Sequence, residues 1–347
     1  MEVSIDLTPW TRNRFSGIGQ SAWRSFLALK PWADREGWKL SAISRDPEAS
    51  SDALPQLSPW AGFLGKRQVI YHSFELKLPV ALHSPKVLTV HDCWTLRPNP
   101  FQAPRFQKAQ AKKLEAAIGR ADRIITPTLS VKQELAALRP DTANRISVVP
   151  WGPLLQEEET STRVTDDAPL RDRPFLLMVA CLETRKNHSL LLRALRGMSD
   201  LELVLVGHLG YGGEKILAEL KTAEANGLRY RHYQRLQDSE LKALYEHCLA
   251  LVQPSLDEGF GMPVLEAMRL GKPVLVSAIA ALKEVAGEAA LYFDPLGGWE
   301  TLQAQLKKIQ TDSETRLHLG QLSQQRATAF SWEKTASLLG AVYHSLE

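Results

Sequence analysis

The 347-residue sequence has few features of a secreted, membrane-spanning or disulfide-rich protein. Its three cysteines, Cys93, Cys181 and Cys248, form no CxxC pair and lack the spacing of zinc ligands. No run approaches the roughly 20 apolar residues of a membrane-spanning helix, and the first residues lack the basic and apolar segments of a signal peptide. We therefore expect reduced, structural thiols, no zinc and a cytoplasmic location.

The charge balance is also modest. A formal net charge of +3 is too small to indicate a nucleic-acid partner. With 44% hydrophobic and 23% charged residues, the composition is that of an ordinary globular protein. The length exceeds what one hydrophobic core usually supports, so two domains are expected.

Short apolar runs alternate with helical patterns in both halves, which is typical of βαβ units and parallel sheets. The predicted strands are 3–7, 39–43, 69–72, 87–91, 124–127 and 146–149, then 175–180, 201–207, 249–253, 273–277 and 290–293.

The predicted domain boundaries lie where this alternation of strands and helices stops. The polar segment 156–172 lacks apolar periodicity and is predicted to be a linker between domains 1–155 and 173–330. Residues 331–347 are predicted to form a terminal helix, and packing back on the first domain is one option for it.

The segment 254–273 carries the most information. Gln253 closes a strand, Gly259 and Gly261 allow a tight turn close to a ligand, and Pro263 suits a first helical turn. Gly271 is a good left-handed cap for the end of that helix. A glycine loop that leads into a helix N-terminus favours a bound diphosphate.

Two glutamates flank this predicted phosphate site, Glu258 at the mouth of the loop and Glu266 in the first helical turn. A bound anion would repel both carboxylates unless they face hydroxyl groups of a sugar or ribose. The pattern therefore predicts a sugar nucleotide, whereas the alternative is an ordinary βα turn with two surface glutamates.

This stretch resembles the Glu-x7-Glu signature of the retaining glycosyltransferases of family 4. The resemblance implies an α/β protein of the GT-B fold, with two Rossmann-like domains whose parallel sheets face each other across a cleft. It also implies that Glu258 lies near the transferred sugar and that Glu266 binds the nucleotide ribose. The residues of this stretch expected to bind the donor are Gly259, Phe260, Gly261, Met262, Pro263, Val264 and Glu266.

A basic pair follows the strand 175–180. Arg185 and Lys186 lie in a loop at a strand's carboxyl end, where open α/β sheets bind ligands, and could stabilise a departing nucleoside diphosphate. The family often has a further arginine where Cys181 stands. A solvated basic loop is the alternative.

Two motifs in the first half fit the same family. Gly17 and Gly19 match G-x-G-x-x-A, but residues 8–15 separate them from the first strand, unlike a dinucleotide fingerprint. They resemble instead a glycosyltransferase loop that faces the donor phosphates. His91, followed by Asp92, resembles a family histidine that contacts the donor sugar, and a structural histidine is the alternative.

The segment 102–123 contains six basic residues together with Phe106, Leu114 and Ile118 at roughly helical spacing. Such a helix could lie on an anionic membrane at its inner face. The alternative is a helix with one face on the sheet and the other in solvent.

Together these features predict a glycosyltransferase that moves a hexose, with mannose from GDP-mannose preferred, to a glycan or lipid-linked hydroxyl. The expected catalytic residues are Glu258, His91, Arg185 and Lys186, and neither a metal nor another cofactor is expected. Two alternatives remain open, a nucleotide-sugar epimerase of similar fold and an inactive sugar-nucleotide binding protein.

Overall fold

The computed structural model describes residues 1–46, 57–59, 69–79, 84–155 and 173–347. The chain forms two compact units. The first contains Met1–Asn99, Ala103–Leu154 and Phe330–Glu347, and the second contains Pro100–Gln102 and Leu155–Ala329. The predicted linker 156–172 lies outside the described residues.

The first unit is built on a parallel sheet of seven strands in the order β3-β2-β1-β4-β5-β6-β7. The strands are β1 (Glu2–Asp6), β2 (Lys39–Ser44), β3 (Leu57–Pro59), β4 (Val69–Ser73), β5 (Lys86–Thr89), β6 (Arg123–Thr126) and β7 (Ile146–Val148). Buried aliphatic side chains of the central strands form its core with α-helical residues such as Leu114 and Ile118.

The helices of this unit include one from the far end of the sequence. They are α1 (Thr8–Arg12), α2 (Gly17–Glu36), α3 (Pro104–Arg120), α4 (Leu129–Leu138) and α12 (Trp332–His344), with 3-10 turns at Trp94–Leu96 and Pro140–Arg145. Ser331 caps α12 by accepting a hydrogen bond from the Lys334 N–H. The Tyr343 hydroxyl lies 2.7 Å from Nδ1 of the buried His72 on β4, so α12 contributes to the core of the first unit.

The second unit is built on a parallel sheet of six strands in the order β10-β9-β8-β11-β12-β13. The strands are β8 (Phe175–Val179), β9 (Glu202–Val206), β10 (Arg229–Tyr233), β11 (Ala250–Gln253), β12 (Val274–Ser277) and β13 (Ala290–Phe293). The helices are α5 (His188–Ala194), α6 (Gly213–Ala225), α7 (Asp238–His247), α8 (Met262–Arg269), α9 (Ala280–Ala286), α10 (Trp299–Thr311) and α11 (Ser313–Ala327), with a 3-10 turn at Thr184–Lys186.

The strand order of each sheet reverses once. In the second unit the chain runs outward from β8 to β9 and β10, then returns to the other side of β8 to form β11. The loops that follow β8 and β11 therefore leave from adjacent carboxyl ends, which is where open α/β sheets bind ligands.

Every strand predicted from the sequence is present, with ends within two residues of the expected ones. Two edge strands, β3 and β10, were not predicted. β10 reads Arg-Tyr-Arg-His-Tyr and lacks an apolar run. Among the described residues, no helix is both long and apolar enough to cross a bilayer.

Candidate functional site

The loops after β8 and β11 bring an ion pair together. The Lys186 ammonium donates to Oε1 of Glu258 at 2.6 Å, and Arg185 Nη1 lies 3.5 Å from Oε2 of the same carboxylate. The backbones are joined as well, because the N–H of Leu256 donates to the carbonyl of Arg185 at 2.8 Å. The structure thus places three of the four predicted catalytic residues in direct contact.

Glu258 is held in its ionised form. Burial alone would raise its pKa, but the charges of Lys186 and Arg185 and hydrogen bonds from Lys186 and Ser255 outweigh that effect. Together they lower the pKa of Glu258 to about 2. Only 9% of the Glu258 side chain is exposed, so the carboxylate is a largely buried hydrogen-bond acceptor.

The basic loop is fixed by contacts that sequence reasoning did not find. Arg185 donates to Glu183 Oε1 at 2.7 Å and to the Asp257 carbonyl at 2.9 Å. Asn187 adopts the left-handed conformation with φ +55° and donates to the Pro295 carbonyl at 3.0 Å. Asparagine tolerates this conformation better than most residues. Arg185 is therefore a bound side chain rather than a solvated one.

The glycine loop leads into α8 as expected, but Pro263 and Val264 offer no N–H group to a ligand. Gly261 has φ +97° and is the N-cap of α8, a conformation that favours glycine. Pro263 has no N–H, and the N–H of Val264 is taken by the Gly261 carbonyl at 2.9 Å. Phe260 and Val264 are buried, whereas Met262 and Pro263 are partly exposed. The helix dipole would act on a phosphate at this position without N–H donors from residues 263 and 264.

The predicted place of Glu266 in the first helical turn is wrong. Since α8 begins at Met262, Glu266 is the fifth helical residue and lies in the second turn. Its side chain is buried, and Oε2 accepts a 3.3 Å hydrogen bond from the N–H of Leu155. Glu266 thus binds the backbone directly before the predicted linker.

In the first unit, Gly17 and Gly19 open α2. The Ser16 hydroxyl caps the helix by accepting from the Gly19 N–H at 2.9 Å. A Cβ at Gly19 would lie 2.5 Å from the Asn13 carbonyl oxygen, whereas a Cβ at Gly17 would meet nothing within 4 Å. Packing among the described residues therefore requires glycine at 19 but not at 17.

His91 follows β5 and is electrically neutral. Its Nε2 lies 3.2 Å from the Phe74 carbonyl, which can only accept, so Nε2 carries the proton. Desolvation lowers the pKa of His91 to about 4, although the bond to Phe74 opposes this shift. The ring lies beside Phe74 and Trp151, with centroids 6.3 and 6.1 Å away. A neutral ring of this kind can accept a hydrogen bond through Nδ1.

The predicted basic segment 102–123 contains α3. Leu114 and Ile118 are buried against the sheet, whereas Phe106 is 51% exposed and does not belong to that buried face. The side chains of Arg105, Lys108, Lys112, Lys113 and Arg120 are exposed. The helix therefore combines a buried face in its second half with an exposed, basic first half.

Comparisons with known proteins agree with this geometry. Residues 165–326 match the family described as Glycosyl transferases group 1, and residues 59–153 match Glycosyltransferase Family 4. The O-antigen chain mannosyltransferase B of Escherichia coli is 28% identical over 320 residues, which cover 87% of this chain and 81% of that protein.

Two further likenesses differ in extent. The serotype-specific mannosyltransferase WbdA of Escherichia coli is 28% identical over 221 residues, and the matched part spans 59% of this chain but only 27% of WbdA. Sucrose-phosphate synthase from Thermosynechococcus elongatus superimposes with a TM-score of 0.75 at 18% identity, covering 100% of this chain and 99% of that one. Both family matches agree with the two parallel sheets and with the ion pair at the carboxyl ends of β8 and β11. The chain therefore belongs to the group 1 glycosyltransferases of family 4, which have the GT-B fold.

Proposed function

We propose that this chain transfers a hexose, with retention of anomeric configuration, from a nucleoside diphosphate sugar to a hydroxyl group. The observation that carries the proposal is the Lys186–Glu258 ion pair with Arg185 beside it. Cations and an ionised carboxylate at one sheet edge suit a ligand that has both phosphate and hydroxyl groups.

Lys186 still has N–H donors with which it can bind a phosphate. An ammonium group has three N–H donors, and one of them is used by Glu258. The remaining donors, the Arg185 guanidinium and the positive end of the α8 dipole would stabilise the diphosphate as its bond to the sugar breaks. Glu258 Oε2 would accept a sugar hydroxyl, Glu266 a ribose hydroxyl, and Nδ1 of His91 a further hydroxyl of the donor sugar.

The chemistry we propose is a front-face displacement. The bond between the anomeric carbon and the phosphate oxygen breaks, and the acceptor oxygen bonds to the same face of that carbon. The acceptor proton passes to an oxygen of the departing diphosphate. Stabilisation of the leaving diphosphate is then the main catalytic task of Arg185 and Lys186, and no metal is needed for it.

We propose GDP-mannose as the donor. Both of the curated relatives described above bear the name mannosyltransferase, and each is 28% identical to this chain. The loop that reads Leu-Glu-Thr-Arg-Lys-Asn from Leu182 to Asn187 resembles the corresponding loop of bacterial polysaccharide mannosyltransferases. Donors of glucose, N-acetylglucosamine and rhamnose are the competing choices.

We propose a glycan or lipid-linked acceptor, presented where the protein meets the inner face of the cytoplasmic membrane. Support comes from α3, whose exposed half holds Arg105, Phe106, Lys108, Lys112 and Lys113. Basic side chains beside an exposed aromatic ring suit an anionic lipid surface.

The decisive experiment is a thermal-shift screen of nucleotide sugars followed by a transfer assay with the donor that stabilises most. A ligand specific for the folded state raises the melting temperature by mass action. Transfer by the wild type that Glu258→Gln abolishes supports the proposal. Glu202→Gln is the matched control, because Glu202 is also a buried carboxylate paired with an arginine, Arg231, at 2.6 Å, but it lies at the start of β9.

The same assay separates the alternatives. An epimerase would convert the donor sugar without any acceptor. An inactive binding protein would give a thermal shift with neither transfer nor hydrolysis. Transfer by Glu258→Gln at the wild-type rate would contradict the proposed site.

A further inference from the structure

Gln253 is a buried polar residue that the mechanism above does not use. It is the last residue of β11 and is fully buried. Its side-chain Nε2 donates to Oε1 of Glu258 at 2.8 Å and to the Ser255 hydroxyl at 3.0 Å. The amide therefore contacts the carboxylate of Glu258 directly.

Chemistry fixes the orientation of this amide. An ionised carboxylate only accepts hydrogen bonds, so the NH₂ group of Gln253 and not its carbonyl must face Glu258. In this orientation Oε1 of Gln253 is buried and has no hydrogen-bond partner among the described residues. A buried acceptor without a donor is unfavourable, so the bond to the charged Glu258 must outweigh that penalty.

The two oxygens of Glu258 consequently differ. Oε1 accepts three short hydrogen bonds, from Lys186 at 2.6 Å, Gln253 at 2.8 Å and Ser255 at 2.8 Å. Within the described parts of the chain, Oε2 has one long contact, 3.5 Å from Arg185. Oε1 is thus saturated, and Oε2 retains lone pairs for a ligand.

We propose that Gln253 is a positioning residue that holds Glu258 by Oε1 and so presents Oε2 to a hydroxyl of the donor sugar. The inference rests on the proposed function, because it assigns the role of Oε2 to that reaction. It adds to the Glu-x7-Glu pattern a residue five positions before Glu258, on the strand rather than on the loop.

The test replaces Gln253 by an isosteric acid, Gln253→Glu. The charged groups that face this site are Lys186 and Arg185, with Glu183 on the far side of Arg185. Lys186 already pairs with Glu258 and Arg185 is shared, so the described parts of the chain offer the new carboxylate no cation of its own. Two adjacent carboxylates cannot both ionise easily, so one keeps its proton near neutral pH.

The new carboxyl group, when protonated, can still donate to Glu258 and replace the amide, whereas its ionised form repels Glu258. We therefore expect Gln253→Glu to release nucleoside diphosphate at close to the wild-type rate at about pH 5. By about pH 8 its rate should be about tenfold below that of the wild type. The probes are GDP-mannose, UDP-glucose and UDP-N-acetylglucosamine. Gln305→Glu is the matched control, because the Gln305 amide donates to a neutral partner, the Tyr292 carbonyl, and like Gln253 has a buried Oε1 without a partner among the described residues.

A second variant removes the hydrogen-bond donor to Glu258 at every pH. Gln253→Leu should lower kcat about tenfold to a hundredfold with little change in KM, since loss of a hydrogen bond to a charged group has about this effect. An unchanged kcat in Gln253→Leu, together with a wild-type pH profile in Gln253→Glu, would overturn the inference.

A double-mutant cycle tests the contact between the side chains of residues 253 and 258 in the absence of any sugar nucleotide. The melting-temperature penalty of Gln253→Glu should grow from about pH 5 to about pH 8 when Glu258 is present and shrink in the Glu258→Gln background. An equal penalty in both backgrounds would show that the two side chains do not interact. If Glu258→Gln is inactive while both Gln253 variants behave as wild type, this inference alone is wrong. If Glu258→Gln transfers sugar normally, the proposed function is wrong.

Discussion

Lys186 and Glu258 are 72 residues apart in the sequence, and their side chains meet at 2.6 Å. The contact exists because β11 returns to lie beside β8, so the loops after both strands leave from neighbouring positions. A pair with 13% and 9% exposed side chains is shielded from solvent far more than a surface salt bridge. We therefore expect the candidate site to respond strongly to changes that break this pair, such as acid or substitution of Lys186.

The pair should make the protein sensitive to acid. Because the folded-state pKa of Glu258 is about 2 and the ordinary value is 4.5, its contribution is present above about pH 4.5 and is lost as the pH falls towards 2. The loss is on the order of 3 kcal/mol. Urea unfolding at about pH 3 and pH 7 should show a smaller acid penalty in Lys186→Met than in the wild type. Lys215→Met, a change at an exposed lysine of α6, should keep the full penalty.

Lys186 should also contribute directly to donor binding. Lys186→Ala is expected to weaken binding of the donor by about 2 to 4 kcal/mol, the range for a charged hydrogen bond in a closed site. Isothermal titration calorimetry measures this loss, with Lys215→Ala as the control. Wild-type affinity in Lys186→Ala would remove Lys186 from the proposed diphosphate site.

Gly17 and Gly19 form a matched pair within one helical turn. Gly19→Ala should destabilise the protein by about 1 to 3 kcal/mol, because its Cβ would lie 2.5 Å from the Asn13 carbonyl oxygen. Gly17→Ala should leave the melting temperature nearly unchanged, since its Cβ meets nothing within 4 Å. If Gly17 faces the donor phosphates, the same variant should lose donor affinity. Equal destabilisation by both substitutions would contradict the packing described for α2.

His188, the first residue of α5, should add to the acid sensitivity at milder pH. Burial, together with the charge of Lys186, lowers the pKa of His188 to about 3. The unfolded chain then binds a proton more readily than the folded one, so this contribution is present above about pH 6.5 and declines as the pH falls. His188→Leu should therefore flatten the fall in melting temperature between about pH 7 and pH 5.

The exposed half of α3 gives a test of membrane contact. Charge reversal at Lys108, Lys112 and Lys113 should abolish salt-sensitive sedimentation with vesicles that contain anionic phospholipid. Reversal of Lys215, Lys221 and Lys307, three exposed lysines of the second unit, is the control with equal net charge. Wild-type protein that fails to sediment with such vesicles at low salt would refute the contact.

Much of the fold could be predicted because buried parallel strands consist of short runs of apolar residues. β8, β9 and β12 follow this rule, and all were predicted. β3 reads Leu-Ser-Pro and β10 reads Arg-Tyr-Arg-His-Tyr, so these two edge strands carry no such signal. Their hydrogen bonds to a neighbouring strand, and not their own composition, define them.

The candidate site was predictable in part. Glu258 and Arg185 could be named because their local motifs are distinctive, but their respective partners Gln253 and Glu183 could not. Those contacts depend on the directions of the side chains, which the sequence pattern does not encode. Glu266 was placed one turn too early because the start of α8 depends on the left-handed conformation of Gly261.

The return of α12 to the first unit bears on how the protein matures during synthesis. His72 is buried against Tyr343, and the Thr335 hydroxyl donates to the Pro150 carbonyl at 2.7 Å. Residues 155–329 must be translated before these partners emerge from the ribosome. The unit that is made first is therefore completed last, and its core can be fully packed only after the final helix has been translated.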